Sequence, residues 1–106
     1  DVAITAPAIN ASFELGETIR LQASAESNES AISQVNFKVN GQFFMQDTTA
    51  PYAVDWTPTA AGTYGITAIV INAAGQRLES AARSVTITEE IEEEVPVNEV
   101  LKNSLM

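Results

Sequence analysis

The chain has 106 residues, 45% hydrophobic but only 7% aromatic, with no cysteine and no histidine. That length fits one domain with a core of Val, Ile, Leu and Ala, and the missing side chains exclude thiolate and imidazole metal sites, cysteine nucleophiles and histidine-based triads. A formal charge of −9 repels phosphate backbones and anionic bilayers, so nucleic acid is excluded as a partner, and no run approaches the ~18 apolar residues of a membrane insertion.

The chain opens on Asp1 with no signal-peptide pattern, which reads as a piece of a longer protein. Period-two alternation then dominates as far as residue 88. "VAIT" (2–5) starts a strand that ends near Pro7, which has no ladder donor. "TIRLQASAES" (18–27) puts Ile19, Leu21, Ala23 and Ala25 on one face and Arg20, Gln22, Ser24 and Glu26 on the other. "SNES" (27–30) is a turn cluster.

"ISQVNFKVNGQFFMQD" (32–47) carries the clearest local signal. Asn40-Gly41 suits a type I′ hairpin, which needs positive φ at both central residues. A two-residue turn there pairs Val39 with Gln42, Phe37 with Phe44 and Val35 with Gln46. Phe44 then joins Phe37 in the core, and Phe43 and Met45 fall on the outer face. "YAVDW" (52–56) turns Tyr52, Val54 and Trp56 inward between Pro51 and Pro58. "TAAG" (59–62) is a turn, and "TYGITAIVI" (63–71) turns Tyr64, Ile66, Ala68 and Val70 inward. In "RLESAARSVTIT" (77–88) Leu78 differs in parity from Val85 and Ile87, so a bulge or kink separates them. These segments predict seven or eight short antiparallel strands and an all-β sandwich. Its core includes Phe37, Phe44, Tyr52, Trp56 and Tyr64, with the large rings filling volume left by Ala23, Ala25 and Ala68.

Residues 89–106 differ in kind. Six glutamates against Lys102 give them −5 of the chain's charge, the mark of a solvated linker. Val97, Val100, Leu101 and Leu105 would share one face of a short helix capped by Asn98. The expected division is a sandwich over 1–88 and an acidic linker over 89–106.

Several blocks in order, "ITAPAINASFELGETIRLQASA", "VNFKVNG", "DTTAPYAVDWTP" and "AAGTYGITAIVINAAG", resemble the bacterial Ig-like domain that accompanies secreted glycosidases and cell-surface proteins. The resemblance spans residues 2–88. It implies a seven-stranded Ig-like sandwich without a disulfide. The implied role is not enzymatic: a spacer or support for adjacent domains of a secreted or cell-surface bacterial protein, or else an adhesion or glycan-binding module. Tyr64 is similar to the tyrosine of the corner motif in such folds. Asn72 stands where the family often has Asp, Ile71 where a small polar residue is common, and Phe43 and Met45 make the hairpin bulkier than usual.

These residues offer three kinds of site. Asp47 and Asp55 are close in sequence, but both occupy turn or outward positions, so no catalytic residue is assigned. Asp1, Glu14, Glu17 and Asp47 offer oxygen ligands that Ca2+ would accept, yet no dense D-x-D-x-D loop gathers them; solvated acids are the better reading and no cofactor is expected. The remaining candidate is an outer apolar face of Phe43, Met45, Ile69 and Ile71, facing polysaccharide, another protein or the chain's own tail.

Overall fold

A computed structural model describes residues 1–27 and 30–89. They form nine strands and no helix: β1 (Val2–Ala6), β2 (Ala11–Glu14), β3 (Ile19–Ala25), β4 (Ile32–Val39), β5 (Gln42–Asp47), β6 (Tyr52–Trp56), β7 (Gly62–Asn72), β8 (Arg77–Glu79) and β9 (Arg83–Thr88). β1, β3 and β6 make a three-stranded sheet. The six-stranded sheet runs β2-β9-β7-β4-β5, with β8 also on β7. The expected acidic linker and capped helix lie outside the described residues beyond Glu89.

The alternating residues close the core. Ile19, Leu21 and Ala23 of β3, Val54 and Trp56 of β6, Val35 and Phe37 of β4, and Ile66, Ala68 and Val70 of β7 are all buried between the sheets. Phe44, Tyr52 and Tyr64 are half-buried and pack against that cluster. Trp56 of one sheet meets Tyr64 of the other edge to face, with ring centroids 5.0 Å apart and planes at 76°. The Tyr64 hydroxyl donates to the Ala60 carbonyl four residues back, forming the corner bond that the resemblance implied.

The count is nine strands instead of seven or eight because both outer strands are split. The first strand changes sheets. β1 pairs antiparallel with β3, whereas β2 pairs parallel with β9. At the crossing Pro7 interrupts the ladder, and the Arg83 guanidinium of β9 donates to the carbonyls of Pro7 and Ile4. The last strand breaks at the expected kink. β8 pairs with Ile69–Ile71 of β7, and β9 pairs with Gly62–Ile66. Between them the Ser80 amide donates to the Ala68 carbonyl and the Ala68 amide to the Ser80 hydroxyl, so a side chain stands in for a missing ladder acceptor.

The hairpin turn forms as read, with Asn40 at φ 52° and Gly41 at φ 80°. Asn40 is also anchored sideways: its amide donates to the Gly65 carbonyl and its side-chain oxygen accepts from the Gly65 amide. The expected register holds for Val39↔Gln42 and then slips. A bulge at Phe44 pairs Phe37 with Met45 and Val35 with Asp47, not with Phe44 and Gln46. The turn sets only the first pairs; on an edge strand one extra residue is accommodated, and here its ring tucks against the core.

Asn72, at the far end of β7, is buried and fully engaged. Its Oδ1 accepts from the amides of Ala74 and Gln76, and its Nδ2 donates to Ser27 Oγ and Gln76 Oε1. A carboxylate there would lose both donors and bury a charge.

Two substitutions test this packing. Trp56→Ala should cost about 3–5 kcal/mol in urea denaturation, as deleting a buried ring does; a loss below ~1 kcal/mol would show the ring is not core. Asn72→Asp should cost about 1–3 kcal/mol, and an unchanged midpoint would refute its role as a turn anchor.

Candidate interaction surface

Two hollows mark the surface. One of about 270 Å³ lies at the Asn72 end, with Val70, Leu78, Arg77, Gln76 and Glu26 among its lining. The other, about 440 Å³ and open, lies where β3 runs on past the end of β6, beside Pro51 and Tyr52. Its floor is made of small residues, Ala23, Ser24 and Ala25. The first also holds Asp1, and neither includes Asp47 or Asp55. Among the described residues no three acidic side chains converge as a metal site would require.

Asp47 and Asp55 are both engaged in bonds of the fold. Asp55 pairs with Arg20 at 3.6 Å on the exposed face of the three-stranded sheet. Asp47 ends β5 and reaches across to the other sheet. Its Oδ2 accepts from the Ala53 amide of β6 and its Oδ1 from the Thr49 amide, each at 3.0 Å. These bonds, Ala53 first, hold its carboxyl below the usual carboxylate range. Asp47 is thus a corner residue of the same kind as Asn72.

The outer face of the six-stranded sheet is the largest candidate surface, and register decides its composition. Lys38 lies between the core residues Phe37 and Val39 and so faces out. Phe43 stands opposite it and is 60% exposed. Asn36 is opposite Gln46 on β5 and Ile69 on β7. Gln34 is opposite Ile71. Gln34 Nε2 donates to Asn36 Oδ1 at 2.6 Å and to Gln46 Oε1 at 3.0 Å.

Of the four residues expected to form an apolar face, Phe43, Ile69 and Ile71 lie on the outer side of the sheet, and Met45 does not. Phe43 and Met45 are both exposed, but the bulge sets Met45 opposite the core residue Phe37 and so parts it from Phe43. Ile71 is half-buried on the outer face. Ile69 shares that face yet is only 8% exposed, outside the sandwich core. Lys38 and Glu79 flank β7 on either side, and their 3.3 Å ion pair spans it above Thr67 and Ile69. The Thr67 hydroxyl beneath is buried without a partner among the described residues. Phe37 and Trp56 are core residues, and Phe44, Tyr52 and Tyr64 line its margin.

Sequence reasoning missed the Gln34–Asn36–Gln46 amide cluster. Alternation with the buried Val35 and Phe37 turns Asn36 outward, but only the bulge brings Gln46 beside Asn36. It also missed Arg83, whose partners lie nearly the whole chain away.

A pH test follows from Asp47. Its lowered pKa means that its contribution is present above the unfolded carboxylate pKa, about 4. That contribution is lost as pH falls through the lower folded value. Urea midpoints should therefore fall between about pH 5 and pH 2, and Asp47→Asn should flatten part of that decline. If the variant tracks the parent chain at every pH, the carboxylate is not a structural acceptor.

Comparison with known proteins agrees with this geometry. The family model described as "Bacterial Ig domain" matches residues 1–68, ending inside β7. Among solved structures, the fibronectin(III)-like modules of Clostridium thermocellum CbhA are 32% identical with a TM-score of 0.78, over 83% of this chain and 96% of that one. The endo-beta-1,4-mannanase from Thermotoga petrophila is 13% identical (TM-score 0.65), over 84% of this chain and 20% of that one. A Bacteroides ovatus protein, SGBP-B of a mixed-linkage glucan utilization locus, is 17% identical (TM-score 0.56), over 89% of this chain and 26% of that one. These last two show a shared fold. A search of curated proteins gives no match. A family match over more than half the chain, with a sandwich and tyrosine corner of the right form beneath it, means that this chain belongs to the bacterial Ig domain family.

Proposed function

We propose that the chain is a non-catalytic spacer or support module of a larger secreted or cell-surface bacterial protein, with residues 1–88 as the rigid unit and 89–106 as an acidic connector. The observation that carries this reading is where the unit's two ends lie. At one end Val2 pairs with Ala25, the Asp1 amine bonds the Glu26 carbonyl, and Ser27 meets Asn72 at the close of β7. At the other, Ile87 pairs with Gly62 at the start of β7, and the Leu15 amide bonds the Thr88 carbonyl. β7 has 11 residues, so the two ends stand roughly 33 Å apart along the strand axis. Groups attached at each end would be held apart by a packed core instead of a coil.

Supporting points are the engagement of Asp47 and Asp55 in structural bonds and the small share that such a module occupies in the matched mannanase. Adjacent domains are then the partners. The absence of native cysteine makes the test direct. Spin labels at Asp1→Cys and Thr88→Cys should give one narrow distance distribution in pulsed electron–electron resonance, centred at roughly 33 Å plus the label arms. A broad or short distribution would remove the rigid-spacer reading.

A further inference from the structure

We propose that the outer face of the six-stranded sheet binds a neutral, hydroxyl-rich polymer chain, with Phe43 as the stacking surface and the Gln34, Asn36 and Gln46 amides as its hydrogen-bonding partners. This stands apart from the spacer reading. The face has three properties that select such a partner. First, it holds a single large ring in solvent, Phe43 at 60% exposure. An aromatic face takes the apolar C–H side of a sugar-like ring.

Second, the polar groups beside it are preset. Gln34 donates to both Asn36 and Gln46, which fixes the three amides relative to one another. A primary amide offers two donors and two acceptor sites. The two bonds use the Gln34 donors and one acceptor site on each neighbour, leaving the NH2 groups of Asn36 and Gln46 to an outside partner. Those two residues are cross-strand neighbours, roughly 5 Å apart. Mixed donors and acceptors at that spacing match rows of hydroxyls, which also act as both.

Third, the part of the face around Phe43 and the amides carries no unpaired charge, on a chain of net charge −9. Beside Phe43 the cation Lys38 is neutralised by Glu79 at 3.3 Å, and the other cation of the face, Arg77 opposite Ile71 on β8, stands two strands away from β5 beyond β4 and β7. An anionic polymer meets repulsion from the whole protein, and a neutral one does not. A protein partner is disfavoured because the apolar patch it would bury is broken: Met45 stands opposite Phe37, and Ile69 lies under the Lys38–Glu79 pair.

Affinity electrophoresis of the chain in gels holding soluble β-glucan, mannan or xylan tests the idea, with polygalacturonate as the anionic comparison. At least one neutral polymer should retard the chain. Phe43→Ala should weaken that affinity roughly tenfold with an unchanged Tm, and Gln46→Ala should weaken it less. Ile9→Ala, which removes an exposed apolar side chain elsewhere, should leave retardation intact. Free migration in all neutral polymers overturns the proposal, as does retardation indifferent to Phe43→Ala. So does a dimer in size exclusion that Phe43→Ala dissolves, since the occupant would then be a second copy of the chain.

Discussion

The contact between Trp56 and Tyr64 joins the two sheets through two of the largest side chains of the core and its margin. The core is otherwise aliphatic and rich in alanine: Ala23 and Ala68 face each other's sheets with almost no side chain. Tyr52 stands opposite Ala23 and Phe37 opposite Ala68, and four residues away on β6 and β7 the Trp56 and Tyr64 rings meet edge to face at 5.0 Å. The Tyr64 hydroxyl then fastens the connection that carries the chain from Trp56 to β7 by bonding Ala60. Burial of the rings, closure of the loop and the start of β7 are therefore one event. Everything paired with β7, which is β4, β8 and β9, inherits its position from that anchor.

Around this centre, single polar side chains mark nearly every place where the chain leaves a ladder. Arg83 holds the carbonyls freed as β1 gives way to β2. Asp47 gathers two amides where β5 passes to the other sheet. Ser80 bridges the gap between β8 and β9, and Asn72 closes the turn before β8. A module of this size with no disulfide must satisfy its corners this way, because an unpaired buried amide costs about as much as several methylenes of core recover. Short side chains with fixed geometry do this with little loss of conformational entropy.

Much of this was legible in the sequence, and what was not has a common physical cause. Alternation gave the buried faces of β3, β4, β6 and β7, because a two-residue period depends only on local geometry. Asn40-Gly41 marked its turn for the same reason. The bulge at Phe44 escaped, since nothing within the hairpin requires it; it answers to the core that Phe44 enters and to Asp47, which must reach Ala53. Ile69 looked exposed by parity, yet it is covered by Lys38 and Glu79, residues 41 positions apart in sequence. Ile71, one row further along β7, keeps partial exposure beyond that pair. The candidate surface changed accordingly from a band of four apolar residues to one ring beside a set of amides. Parity can be read from a window of six residues, whereas cover and register slips belong to the assembled sheet.

The parallel pairing of β2 with β9 gives the unit a mechanical character. Both strands run toward the Gly62 end of β7. Tension applied through Asp1 would draw β2 backward from its first residue, and tension applied past Thr88 would draw β9 forward from its last. The two strands are then pulled in opposite senses along their common axis, so the bonds between Ala11–Glu14 and Val85–Thr88 are loaded together and not peeled one at a time. Rupture must break the whole patch at once, with the Arg83 clamp on Ile4 and Pro7 adding to the load-bearing set. A pull along the line between the two ends therefore meets this patch in shear.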